Sequence, residues 1–351
     1  MGPIEVTATY SLQATPLRIS VIIAHSRDVV RNTLDSLSRQ TFDHRAFEVF
    51  VVGGNPEHVT PSAYDFTVRY FRCDDMNPSR RRNIGIQASK AEIIAFIDDD
   101  ATAADDWLKN AMRLFEEDPR LGVIGGPTFL PAGAGLGEHL TYKIGHAGFF
   151  GNGHENLKAD SDVLKVVVGY ITSCNMLVNR ARLSVDNHFE SQIGYGGEDT
   201  LFIYRAAHLL GCRVLYSMSV IVFHSRKAYG LRYLSTRFKY RVNNGMMLWA
   251  RPGIYLGNKR FSAGLAVGGA LLAGALIKPI PLLPLMIVLH QLISLGFALN
   301  YLKEDYRLTL LFPPALLIQH MVYFCGIVAG FVSLIHPAQM ARVRKIRANL
   351  K

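Results

Sequence analysis

Between Phe261 and Asn300 the only charged residue is Lys278, and between Leu308 and His336 there is none. Apolar runs of this length reach across a bilayer, whose core takes about 20 helical residues. The first 250 residues, by contrast, read as an ordinary globular mixture. The chain is therefore expected to fold as a globular domain followed by an α-helical membrane region. Two full spans are expected, at Leu285–Leu302 and at Ala315–Ile335, the second just after Pro313-Pro314. Residues 262–277 are shorter and Gly-rich, with Gly264 and Gly268 in GxxxG spacing. They read as interfacial or re-entrant, with a third span as the alternative.

Charge supplies the orientation. Lys259 and Arg260 precede the apolar region, and Arg342, Arg344, Lys345, Arg347 and Lys351 follow it with no acid among them. Flanking cations mark the cytosolic side, so globular domain and tail are both expected there, which requires an even number of spans. The formal net charge of +10 is thus read as contact with a membrane surface. No nucleic-acid partner is expected, since no module of that kind is visible. The four cysteines form no CxxC pair, a reduced, cytosolic usage. Met1–Leu17 has no apolar core of the kind that makes a signal peptide.

Along the globular part, strand and helix patterns alternate. Arg18–Ala24, Phe47–Gly53, Val68–Phe71 and Glu92–Ile97 are short apolar runs of strand type. Helical patterns fill residues 27–39, with Val30, Leu34 and Leu37 on one face, and 78–90. This order predicts a doubly wound α/β sheet, whose ligands bind beyond the carboxyl ends of its strands. Residues 131–162 read either as a mobile loop over the site, with Gly133, Gly135 and Gly137 as hinge candidates, or as a surface insertion with no role. Further strands are expected at 163–168, 175–178 and 213–216, and a helix at 199–210.

Four groups of residues could carry chemistry. Asp98, Asp99 and Asp100 follow a buried strand, and carboxylates at i and i+2 can share a hard divalent cation. A bland alternative is a helix-capping acidic loop, a task that Asp105 and Asp106 already fill. Gly196-Gly197-Glu198-Asp199 opens a helix, where glycines admit a ligand to the backbone and a carboxylate can act as a base. His224 ends the strand-like Val-Ile-Val-Phe-His and could complete a metal site with Asp100. Arg80-Arg81-Arg82-Asn83 could face phosphates or form a solvated helix face.

In order and spacing these groups resemble glycosyltransferase family 2, inverting enzymes of GT-A fold, over residues 18 to about 245. The resemblance rests on Ser20-Val-Ile-Ile through Gln40, Phe47-Glu48-Val, Arg82-Asn83-Ile84-Gly85-Ile86, Phe96-Ile97-Asp98-Asp99-Asp100 with Trp107-Leu108, Asn175 through Arg180, Gly196 through Thr200, and His224. It implies a Rossmann-like mixed sheet and a nucleotide-sugar donor held with Mg²⁺ or Mn²⁺. Ala24, Arg27, Arg82, Asp98, Asp99 and Asp100 would bind the donor, and Asp100 and His224 the metal. Asp199 would be the catalytic base, helped by Glu198. Asn175, Gly196, Gly197 and Glu198 would meet the acceptor. Two departures stand out. Ala24-His25-Ser26-Arg27 replaces the family's usual Pro and Asn, and Gly53-Gly54 stands where an Asp usually contacts the base, so the base is left open. The absence of a Gln-x-x-Arg-Trp motif points to transfer of one sugar per acceptor.

The expected organisation is an N-terminal extension at 1–17, a GT-A domain at 18–230, a basic and aromatic interfacial segment at 231–260, a membrane region at 261–337 and a basic cytosolic tail at 338–351. A soluble donor beside a membrane region suggests a lipid-borne acceptor, either a polyprenyl-diphosphate-linked glycan or a polyprenyl phosphate, at the cytosolic face of the cell membrane. A catalytically silent, sugar-nucleotide-binding scaffold is the alternative. The oligomeric state is left open.

Overall fold

The computed structural model describes residues 6–9, 16–26, 30–54, 59–146, 171–183, 188–193, 196–256, 258–277 and 282–350. The chain divides into two compact units, residues 1–131 with 158–225, and residues 132–157 with 226–351.

The first unit is built on a mixed sheet. Its strands are β1 (Val6–Thr9), β2 (Ile19–Ala24), β3 (Phe47–Gly53), β4 (Thr67–Arg72), β5 (Ile93–Asp98), β7 (Leu121–Gly125), β9 (Asn175–Asn179) and β10 (Arg213–Tyr216). They lie in the order β1-β4-β3-β2-β5-β9-β7-β10. Strands β4, β3, β2 and β5 run parallel, and β9 enters antiparallel between β5 and β7. Part of the expected N-terminal extension is thus an edge strand, since β1 pairs antiparallel with β4. Strands β2 and β3 are apolar almost throughout because a parallel sheet is covered on both faces. Helices α1 (Val30–Leu37), α2 (Pro78–Ala88), α3 (Trp107–Glu117) and, later in the chain, α5 (Glu198–Tyr204, continued by a wider π-helical turn over Arg205–Leu209) complete this unit.

Local chemistry sets the helix starts. Asn77 Oδ1 accepts the Ser79 and Arg80 amides ahead of α2, with Pro78 at the first helical position. At α3 the expectation fails: Asp106 occupies the cap position without bonding the helix and accepts the Thr41 hydroxyl instead. Gln40 takes over, its Oε1 accepting the Leu108 amide at 3.0 Å. The sequence pattern also missed β7. In its Leu-Gly-Val-Ile-Gly, a Cβ on Gly122 would stand 2.5 Å from Cys212, and one on Gly125 2.5 Å from Ile171. The glycines are there for close approach rather than for a turn.

A second, three-stranded sheet joins β6 (Ala101–Ala103), β11 (Val222–His224) and β8 (Thr128–Phe129). Its register sets His224 opposite Ala101. The residue after the acidic triplet and a histidine more than 120 positions later are thereby locked together by strand pairing.

The second unit is helical: α4 (Leu136–His146), α6 (Leu231–Ala250), α7 (Gly253–Leu256), α8 (Lys259–Ile277), α9 (Leu282–Ala298), α10 (Tyr306–Ser333) and α11 (Pro337–Ala348). Helix α4 corrects the expectation of a loop over its own residues, while 147–162 lie outside the described residues. Leu140 and Ile144 bury against Phe312 and Leu316 of α10, a distant contact invisible to local pattern. Gly137 is a packing glycine, since a Cβ there would come 2.9 Å from Ala228 Cβ. The strand expected at 163–168 lies outside the described residues.

Among the described residues, two helices are long and apolar enough to cross a membrane, Pro284–Tyr301 and Tyr306–Ser333. The second runs straight through Pro313 and Pro314, which were expected to precede it. Leu231–Ala250 forms one helix, α6, whose inner face packs along α10. The two approach through glycine: a Cβ on Gly330 would stand 2.2 Å from the Val242 carbonyl oxygen, and one on Gly245 2.2 Å from that of Ile327. Arg232 and Lys239 remain on the exposed face.

Candidate active site

The site forms where β2 and β5 end side by side, with Ala24 paired to Asp98. Ala24 is partly exposed at that edge; Arg27 lies outside the described residues. The three aspartates then diverge. Asp98 Oδ1 accepts Arg82 Nη2 at 3.0 Å. Asp100 Oδ1 lies 3.0 Å from His224 Nε2. Asp99 turns back into the protein, where its Oδ2 accepts the Ser26 amide at 2.6 Å and lies 3.7 Å from His25 Nδ1. It is buried and shapes the chain leaving β2, so its expected place on the donor side is not one of direct exposure to solvent.

Asp98, Asp100 and His224 each offer a ligand atom, and these atoms lie within 4.8 Å of one another. Two carboxylates and an imidazole suit Mg²⁺ or Mn²⁺, with further positions left for water or phosphate oxygens. The donor chemistry therefore fits the expected metal.

The three arginines separate in the same way. Arg80 pairs with Asp75 at the surface. Arg81 donates from Nη1 to the His25 carbonyl and from Nε to the Asp75 carbonyl at 2.7 Å, pinning two loops. Arg82 faces the site. It bridges Asp98 to Glu198, Nη1 to Oε1 at 3.3 Å, and lies 5.3 Å from the centre of the Phe189 ring. Phe189 itself is fixed by Asn83, which donates to its carbonyl and accepts its amide, each at 2.8 Å. Nothing in the sequence marked Phe189, a lone aromatic in an irregular stretch.

Gly196 and Gly197 have φ of +86° and +104°, the left-handed region open to glycine at little cost. That turn lets Glu198 Oε2 fold back to accept the Gly196 amide at 2.8 Å, while Asp199 Oδ1 accepts the Thr200 amide at 2.7 Å. Burial, reinforced by the neighbouring Asp199 charge, pushes Glu198 up to about 7. Burial also raises Asp199, against backbone hydrogen bonds and the pull of Arg82. Two adjacent carboxyls with raised affinity for protons are the signature expected of acid–base chemistry near neutral pH.

Asn175, expected on the acceptor side, is engaged by the protein itself. Its Oδ1 accepts Trp107 Nε1 at 2.9 Å, and its Nδ2 donates to the Pro127 and Val220 carbonyls at 3.0 and 2.8 Å. It is fully buried, and its amide ties strands together.

The family model described as Glycosyl transferase family 2 matches residues 20–181. Glucosyl-dolichyl phosphate glucuronosyltransferase of Haloferax volcanii is 26% identical over 185 residues, which is 45% of this chain and 57% of that protein. The succinoglycan biosynthesis protein ExoM of Rhizobium meliloti is 26% identical over 213 residues, 56% of this chain and 62% of that protein. The chain thus spans less than two thirds of either relative. Among solved structures, mannosyltransferase PcManGT of Pyrobaculum calidifontis, in complex with GDP-Man and Mn²⁺, superposes with a TM-score of 0.52 at 18% identity, covering 88% of this chain and 87% of that one. That likeness is one of fold.

Proposed function

We propose, for a chain whose residues 20–181 match the glycosyl transferase family 2 model, that it is an inverting, divalent-metal-dependent glycosyltransferase moving one sugar from a nucleotide sugar to a lipid-linked acceptor at the cytosolic membrane face. One observation carries the reading. Arg82 joins the Asp98–Asp100–His224 triad on one side to the Glu198–Asp199 pair on the other. A cation-binding set and a buried base sit within one side chain of each other, the separation a diphosphate leaving group and an acceptor hydroxyl require.

In this reading Asp199 takes the proton of the acceptor hydroxyl as its oxygen bonds to the anomeric carbon. The bond from that carbon to the diphosphate oxygen breaks on the opposite face, which inverts the configuration. Arg82 stays charged and orients the donor, while Glu198, held by Gly196 and Arg82, fixes the turn that aims Asp199. Asp98, Asp100 and His224 would hold the metal, which when bound supplies positive charge to the leaving diphosphate. Asp99, through Ser26, keeps the β2 exit in place. Helices α9 and α10 are read as two membrane spans, supported by their exposed Leu, Ile, Val and Phe side chains. The dolichyl phosphate in the name of the Haloferax volcanii relative supports a lipid-linked acceptor.

The test is nucleotide release from a panel of sugar nucleotides with Mn²⁺ or Mg²⁺ and a polyprenyl acceptor. Release that needs metal, lipid and Asp199 supports the reading. Release from no donor under any of these conditions overturns it in favour of a silent binding scaffold.

A further inference from the structure

Resting on the proposed donor role of Arg82, we infer that Phe189 is a positioning residue: its ring holds the Arg82 cation between Asp98 and Glu198, and so fixes the metal-binding set relative to the base.

The donors of a guanidinium all lie in its plane, so hydrogen bonds fix its edges and leave the direction out of that plane unheld. Arg82 gives Nη2 to Asp98 at 3.0 Å and Nη1 to Glu198 at 3.3 Å. The second bond is long, and the bridge alone leaves the group room to tilt. An aromatic ring can hold a cation that lies over it, through the negative charge of its face. Phe189 supplies that ring, with Arg82 Cζ over it and 5.3 Å from its centre. Both residues are buried, and a desolvated contact of this kind is the strong one.

Two further rings hold Phe189. Phe202 stacks on it with 4.7 Å between centres, and Phe96 meets it edge to face at 5.1 Å. Phe96 lies on β5 two residues before Asp98, and Phe202 on α5 three residues after Asp199. The ring cluster therefore joins the same two elements that Arg82 joins through their carboxylates. The backbone around Phe189, residues 188–193, is neither strand nor helix, so side chains must satisfy its polar groups. Asn83 takes both those of Phe189. Asn77 Nδ2 donates to the Ser191 carbonyl at 2.9 Å. Arg205, in the π-helical turn after α5, donates to the His188 carbonyl and to Glu190 Oε2, each at 3.0 Å. An irregular segment clamped from α2 and from the end of α5 thus delivers one fully buried ring to the cation at the centre of the site.

The test changes the charge distribution of the ring and keeps its shape. Phenylalanine carrying one, two or three fluorines is installed at position 189 of the full chain in detergent. Each fluorine weakens the negative face and leaves the side chain apolar and close to its natural size. The melting temperature is expected to fall stepwise along the series in the natural chain and to show no such trend in the Arg82→Gln background. Binding of UDP, GDP and dTDP, each with Mn²⁺ and read by calorimetry, should weaken in the same steps for whichever nucleotide binds, by about tenfold at three fluorines. Phe189→Leu should weaken it at least as much. Phe66→Leu, at a buried ring that packs on Phe47 and Tyr64, should lower the melting temperature and leave nucleotide affinity unchanged. A fall of equal size in both backgrounds, or nucleotide affinity that does not follow the fluorines, overturns the positioning role. Should Arg82→Gln not fold, the nucleotide steps in the natural chain decide alone. If the natural chain binds none of the nucleotides, the donor reading fails, and the melting-temperature comparison still decides whether Phe189 holds Arg82.

Discussion

Residues 1–225 carry 21 Lys and Arg against 26 Asp and Glu, while residues 226–351 carry 17 against two. The two regions also bury their charges differently. In the first unit buried cations meet carboxylates: Arg82 meets Asp98 and Glu198, and Arg205 meets Glu190 at 3.0 Å. In the second, Arg237 and Arg241 face tyrosine rings. The surfaces differ as well. On α9, Leu285, Val288, Leu289 and Leu292 are between 53% and 62% exposed, a density of bare apolar side chains that water disfavours. One unit sets its buried cations against carboxylates. The other sets arginines against aromatic rings and carries exposed apolar side chains, as a region facing a bilayer and its anionic head groups would.

That contrast can be broken by substitution, because each unit should fail in its own assay. Asp199→Asn should lower kcat by about a hundredfold to ten-thousandfold, the range a positioned base supplies, with donor binding retained. Equal kcat would remove Asp199 from the chemistry. Asp100→Ala should lose metal-dependent donor binding, read by titrating Mn²⁺ against a fixed donor, and leave membrane retention untouched; normal donor affinity in chelator would dismiss the triad. Leu289→Arg should reverse the pattern. A cation at a span centre costs about 2.5–3.5 kcal/mol, so the chain should shift toward the soluble fraction while donor binding persists. Gly330→Val should lower the melting temperature, since overpacking costs about 1–3 kcal/mol and the new Cβ would collide with the Val242 carbonyl.

The smallest effect is one of pH. The base must be ionised, and burial raises both Glu198, to about 7, and Asp199. Activity should therefore climb with pH above the usual carboxylate range, and kcat/KM measured from pH 3 to 9 should show that acid limb. A limb near pH 4 would mean that these carboxyls are well solvated. The same shift acts on stability with the opposite slope. A carboxyl that holds its proton more tightly when folded contributes most below the unfolded value of 4.5 and loses that contribution as pH rises through about 7.

Much of the first unit was legible because local pattern and local chemistry agree there. Strands β2, β3 and β5 are uninterrupted apolar runs, and Asp98, Asp100, Glu198, Asp199 and His224 stand at strand or helix ends, as expected. What escaped detection depended on distant partners. The glycines of β7 exist for Cys212 and Ile171, α4 is ordered by Phe312 and Leu316, and the cap of α3 comes from Gln40 rather than from Asp106. Phe189 and the structural engagement of Asn175 belong to the same class: each is defined by a contact far along the chain. In the second unit hydropathy located the apolar helices, but the seam of Gly245, Gly326 and Gly330 that draws α6 onto α10 has no hydropathy signature.

The central claim is a single displacement driven by Asp199, and the configuration of the transferred sugar tests it most directly. With a donor that supports turnover, NMR of the product's anomeric carbon and proton should show the configuration opposite to that of the donor. Retention of the donor's configuration would require a covalent or front-face route and would contradict the account.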